Sequence, residues 1–130
     1  MKQLPIVFCH RDFWIENVFF SDGAIILIDW DEAGFGYLGE DIARLIADDT
    51  ETDCLHEYYR RLIPAYYRGI SQYLDLFSSE NNYIWEMIVL KFGYRVMQEY
   101  MFSDLPEVKQ ESVDRLQKIY EIRDIPVSYY

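Results

Sequence analysis

Two apolar runs, residues 18–20 and 24–28, are separated only by Ser21-Asp22-Gly23. An Asp-Gly pair supplies the positive φ angles that a tight reversal needs, so this spacing predicts a β-hairpin. A third short apolar run, residues 4–9, comes just before it, and no comparable pattern follows downstream. The chain is therefore constrained to a little sheet near its start and helix thereafter. The class expected is α+β, mainly α: one hairpin plus about four helices.

The later residues carry helical periodicity. Leu55, Tyr58, Tyr59, Leu62 and Ile63 mark one face of a segment over 51–63, and Pro64 is expected to break or kink it before helix resumes over 66–76. Residues 78–82 read as a polar break. Residues 83–102 are apolar nearly all round, which predicts a buried helix. Glu86, Lys91, Arg95 and Glu99 interrupt that run and exclude a membrane span. Asp104 followed by Glu107 resembles a capping box, with Pro106 suited to the first turn. Val108, Leu116, Ile119 and Tyr120 then outline the inner face of a final helix.

With 130 residues, half of them hydrophobic, and no repeat or low-complexity tract, the expectation is one domain spanning 1–130. Cys9 and Cys54 are too few and too far apart for a disulfide framework or a zinc site. They read as reduced thiols of a cytoplasmic protein, and residues 1–3 lead straight into the first strand without a signal peptide. A net charge of -11 argues against a nucleic-acid partner. Nothing points to a membrane partner either. Acid is concentrated at Asp31, Glu32, Glu40, Asp41, Asp48, Asp49, Glu51, Asp53 and Glu57. Such a surface would attract a cationic small molecule, but a solvated face that aids solubility accounts for it equally well.

The loop entering the hairpin contains His10, Asp12 and Asn17, and Asp29 stands at the exit of the second strand. These three oxygen-bearing residues can converge at one end of a rigid hairpin. Phosphoryl transfer asks for such a set: one carboxylate to orient or deprotonate the acceptor hydroxyl, and oxygen ligands for the magnesium that bridges nucleotide phosphates. Each residue has a plainer reading. Asp12 could form an Asx turn, Asn17 could be a loop amide, and Asp29 could end a strand. A carboxylate placed behind residues 25–28 is nonetheless costly unless a cation or donors receive it, which favours a ligand role. Asp31 and Glu32 could add a water-mediated contact, or simply form an acidic loop.

The order His10-Arg11-Asp12-x-x-x-x-Asn17, with Asp29 beyond it, resembles the catalytic loop and metal-binding Asp of the protein-kinase-like superfamily. The fuller strings FCHRDFWIENVFF and LIDWDEAGFGYLGEDIARLI are more similar to its small-molecule branch, the aminoglycoside phosphotransferase and choline kinase family. Trp30, the Ala33-Gly34 step and Asp41-Ile42-Ala43 carry that distinction, and the likeness spans about residues 5–46. It implies an ATP-dependent kinase of a small-molecule hydroxyl, with Asp12 as base and Asn17 and Asp29 binding Mg2+ and, through it, the nucleotide. His10 reads as a structural residue that bonds the loop backbone; Asp41, at a helix start, is suited to cap free N-H groups, and the resemblance implies that it also tethers the loop, so both support the site. Arg11 stands where this branch commonly has Gly, and reads as a surface or loop-bracing residue.

Gly34-Phe35-Gly36-Tyr37-Leu38-Gly39 spells G-x-G-x-x-G, yet it follows the catalytic loop and leads into helix. Neither a dinucleotide fold nor a kinase phosphate loop has that context. The glycines are expected to turn the chain tightly into the Asp41 helix. By resemblance, the ATP cradle belongs to an N-terminal lobe, which the nine residues before His10 are too short to form. The chain is thus expected to be the C-terminal lobe alone, to expose apolar surface, and to form a homo-oligomer or pair with a missing lobe. The alternative is a truncated, non-catalytic remnant or oligomeric interaction module.

Overall fold

The structure, a computed structural model, describes residues 5–48, 50–73 and 83–126. Its strands form two antiparallel pairs. β2 (Val18–Ser21) and β3 (Ala24–Leu27) make the hairpin, with Phe19 opposite Ile26 and Phe20 opposite Ile25. Asp22 and Gly23 have φ of 51° and 78°, as a two-residue turn matched to strand twist requires.

β1 (Ile6–Cys9) pairs with β4 (Gly34–Tyr37), so the glycine-rich stretch expected to be a turn is mostly strand. The reason is close approach. A Cβ on Gly36 would stand 2.6 Å from Oε2 of Glu40 and 3.0 Å from Sγ of Cys9, and only a bare backbone fits there. The turn falls instead at Leu38-Gly39, where Gly39 takes a left-handed φ of 86°.

α1 (Glu40–Ala47) follows at once, and a 3-10 turn (Thr52–Cys54) leads into α2 (Leu55–Ile70). Leu55, Tyr59, Ile63 and Tyr67 are buried at four-residue spacing. α2 runs through Pro64 without the break that was one of the two outcomes expected there. The bond that Pro64 cannot donate would have gone to Arg60, which is exposed, so water can satisfy that carbonyl. Part of the predicted 66–76 helix, the polar break at 78–82 and Leu4 lie outside the described residues.

α3 (Tyr83–Ile88), a π-helical turn (Val89–Gly93) and α4 (Tyr94–Phe102) form a continuous run. It is not buried all round. Ile84, Met87, Ile88, Phe92 and Val96 face the core, while Leu90, Met101 and Phe102 are exposed. α5 (Pro106–Glu121) starts with Pro106 at its first turn, but Asp104 does not cap it: Leu105 occupies the cap position without a side-chain bond, and its N-H donates to Ser103 Oγ. Ile119 is buried and its neighbour Tyr120 is exposed, since adjacent helical residues cannot share a face. Arg115 of α5 donates to the carbonyls of Ala47 and Thr50, tying α5 to the end of α1.

The core is helical, built on Ile46, Leu55, Tyr59, Ile63, Ile88 and Ile122. The sheets contribute little to it. Phe8, Phe20, Ile25 and Phe35 are each 63–79% exposed, although burying such a side chain is worth about 1.5–3 kcal/mol. The cross-strand register puts Phe20 and Ile25 on one face of the hairpin and Phe19 and Ile26 on the other, so both faces are apolar. No helix among the described residues is long and apolar enough to cross a membrane.

Candidate functional site

The loop between β1 and the hairpin is held from two directions. From within, Asn17 at the end of a 3-10 turn (Ile15–Asn17) donates its side-chain N-H to the Asp12 carbonyl at 2.9 Å and to Asp12 Oδ2 at 3.2 Å. Both partners are acceptors, which fixes the amide orientation and leaves Asn17 Oδ1 turned away with its lone pairs free. Trp14 Nε1 donates to Asp12 Oδ1 at 2.6 Å.

From α1, the Asp41 carboxylate accepts the backbone N-H of His10 at 2.7 Å and of Arg11 at 2.8 Å. It does not cap its own helix, whose N-terminus has no side-chain cap. One turn on, Arg44 donates to the Arg11 carbonyl at 2.6 Å, reaches Asp12 Oδ1 at 3.1 Å and stacks over the Trp14 ring at 4.1 Å. Its Nε lies 3.9 Å from Asp48 Oδ2, a contact of charges but too long for a hydrogen bond. Sequence reasoning missed Arg44 and Trp14. Arg44 follows Asp41 by three residues on a helix and so shares the face that meets the loop, which was the available signal.

His10 is buried, with Nε2 2.8 Å from the Ile28 carbonyl. A carbonyl only accepts, so Nε2 carries the hydrogen, and Nδ1 is left without a bond. The ring packs against Trp30 with centroids 4.5 Å apart, and Trp30 Nε1 closes the corner by donating to the Leu27 carbonyl. His10 thus joins the loop to the hairpin exit. At that exit the Ile28 N-H donates to the Asn17 carbonyl at 3.1 Å, continuing the ladder by one rung.

Asp29 is the next residue. It is not buried behind residues 25–28 as expected, because those residues are themselves largely exposed; it adopts a left-handed φ of 62°, and its exposed carboxylate bonds to no described residue. Asp31 and Glu32 are exposed as well. No group of three or more His, Cys, Asp or Glu residues that could hold a metal occurs among the described residues. The oxygen donors at hand are Asn17 Oδ1 and the Asp29 carboxylate, a sparse hard set that fits Mg2+, which takes one or two protein ligands and completes its shell with water and phosphate.

Charge around the loop is unevenly distributed. Burial, with the nearby charges of Asp41 and Glu40, pushes the Cys9 thiol up to about 11, so this cysteine is unreactive at neutral pH. Burial also works against ionisation of Glu40, but hydrogen bonds from Lys91 and from the Tyr37 N-H outweigh it and hold the carboxyl below its ordinary value. Tyr66 is pushed up to about 12 by burial, although its hydroxyl oxygen accepts the Gly39 N-H at the head of α1.

The model of the phosphotransferase enzyme family matches residues 1–74, which include the loop, the hairpin, α1 and α2. No curated protein and no solved structure matches the chain.

Proposed function

Because the chain belongs to the phosphotransferase enzyme family, we propose that it transfers the γ-phosphate of ATP to a hydroxyl of a small molecule. The observation that carries this reading is the pairing of Asn17 with Asp12, one ladder rung from the bare Asp29 carboxylate. Asp12 is the carboxylate that receives the acceptor hydroxyl. Its Oδ1 is engaged by Trp14 and Arg44, whereas Oδ2 takes Asn17 at 3.2 Å, a long bond that a substrate hydroxyl can share. As the oxygen to γ-phosphorus bond forms and the bond to the ADP oxygen breaks, Oδ2 takes the hydroxyl proton.

Asn17 Oδ1 and Asp29 would hold Mg2+, which when bound neutralises phosphate charge. Asn17 then links the two halves of the site, touching Asp12 through its nitrogen and the cation through its oxygen. Asp41, Arg44 and His10 position the loop without touching substrate. Calorimetric titration with Mg-ATP tests the reading: wild type should bind and Asp29→Asn should bind far more weakly. Equal, negligible binding by both would mean that the chain by itself is not a kinase.

The domain reading is that of a C-terminal lobe, with the nucleotide cradle seated on the apolar hairpin and supplied by a further segment or subunit. The exposed Phe8, Phe20, Ile25 and Phe35 also support self-association. Light scattering should show the mass rising with concentration; a constant monomer would remove that part of the proposal.

A further inference from the structure

A cavity of about 430 Å³ opens beside the catalytic loop, bounded by the start of α1 and by the π-helical turn. The chain carries a net charge of -11 with only 12 Lys and Arg residues, yet Arg11, Arg44, Lys91 and Arg95 all line this one space. Three carboxylates share the wall with them. Glu40 is taken by Lys91 and Asp48 by Arg95, while Arg44 is committed to the Arg11 carbonyl and to Asp12.

Arg11 is different. Its guanidinium forms no hydrogen bond or ion pair with any described residue. It lies across Gly34, where a Cβ would stand 3.5 Å from its Nη1. Glu32 pairs with no cation among the described residues either, and the two do not bond each other, so the Arg11 donors stay available to a ligand.

Two departures from ordinary backbone deliver these charges. Arg11 holds a left-handed φ of 67°, a conformation that suits Gly and disfavours a long side chain. Lys91 sits in the π-helical turn Val89–Gly93, an irregularity frequent at functional sites. Arg44 connects the cavity to the reacting carboxylate, since it lines the one and bonds the other.

We infer that this cavity binds an acidic group of the acceptor itself, a carboxylate or a phosphate, on the Arg11 guanidinium with Lys91 and Arg95 beside it, while the acceptor hydroxyl reaches Asp12. The guanidinium fork matches either anion in two-point geometry. The acceptor is then an anionic small molecule, not the cation that the acidic surface alone would attract. The inference rests on the reading of Asp12 as the carboxylate that receives the acceptor hydroxyl.

The test is calorimetric titration of the full chain, at low ionic strength and without nucleotide or metal, with inorganic phosphate and separately with malonate. The variant is Arg11→Gly, which removes the guanidinium and supplies the residue best suited to that φ, so its melting temperature should match or exceed wild type. Wild type should bind at least one anion saturably, and Arg11→Gly should bind it at least tenfold more weakly; which anion wins tells a carboxylate from a phosphate. Failure of wild type to bind either anion, or equal binding by the variant, would overturn the inference. So would displacement of bound phosphate by Mg-ATP, because the cations would then serve the nucleotide. The anion titration can succeed while the Asp29→Asn comparison fails, and the reverse, so the two readings stand or fall separately.

Discussion

Two aspartates at the ends of short strands face opposite circumstances. Asp12 receives three side-chain donors, from Trp14, Asn17 and Arg44, on a loop whose backbone is fastened to Asp41. Asp29, on the other arm, is exposed, left-handed and bonded to nothing described. The protein alone determines where Asp12 points, whereas the position of Asp29 comes only from its backbone. Preorganisation of this kind suits a group that must meet a neutral hydroxyl in one orientation, since the orientation is set before substrate arrives. A bare carboxylate suits a cation, which supplies the missing partner on binding.

The comparison breaks first at Asp12. On the proposed mechanism Asp12→Asn should lower kcat by about 10²–10⁴, with Mg-ATP affinity nearly unchanged, as read by steady-state kinetics beside calorimetry. A variant that loses nucleotide affinity and rate together would mean the two aspartates act on the same ligand.

Loss of the fastening comes next. Asp41→Ala leaves the N-H groups of His10 and Arg11 without their charged acceptor, a loss of about 3 kcal/mol and roughly 10 °C in Tm by thermal denaturation. Its neighbour Glu40 adds a pH signature. The Glu40 carboxyl lies below its ordinary value of 4.5 in the folded chain. Its contribution is therefore complete above that value and is lost as pH falls through the lowered one. Glu40→Gln should flatten the decline of Tm below about pH 4.5.

Asp29→Asn should cost at least about 10–100-fold in Mg-ATP affinity, the loss that removing even a group behind a metal ligand causes. Its Tm should not move, since Asn tolerates the left-handed conformation as Asp does. A fall in Tm on this substitution would show the carboxylate to be structural and dissolve the contrast with Asp12.

Parts of this arrangement were legible in the sequence because they are local. The Asp22-Gly23 turn sets the hairpin within four residues, and the Asp12 to Asn17 bond closes over five. The features that were not legible depend on distant partners. β4 looked like a turn because alternating glycines have no strand propensity of their own; it forms against β1, with Cys9 and Glu40 filling the space a side chain would need. Pro64 is tolerated inside α2 because the buried positions around it hold the helix on the core. The role of Arg44 required α1 to lie against the loop, and the cluster of cations required the π-helical turn to bring Lys91 and Arg95 beside α1. No periodicity of 83–102 announces that turn.

The smallest expected effect separates the two arms most finely. Arg11 and Asp29 share nearly the same φ, 67° and 62°, but Asp accepts the left-handed region far more readily than a long side chain does. Glycine at either site removes the steric cost and adds unfolded-chain entropy of about 0.4–1 kcal/mol, so the net depends on how much the native side chain suffers. Arg11→Gly should therefore raise stability by up to about 1 kcal/mol, and Asp29→Gly should be neutral or slightly destabilising, both read from denaturant midpoints. If Arg11→Gly is destabilising instead, the Arg11 side chain braces the loop against Gly34, and its guanidinium is less free to receive an anion than its lack of partners suggests.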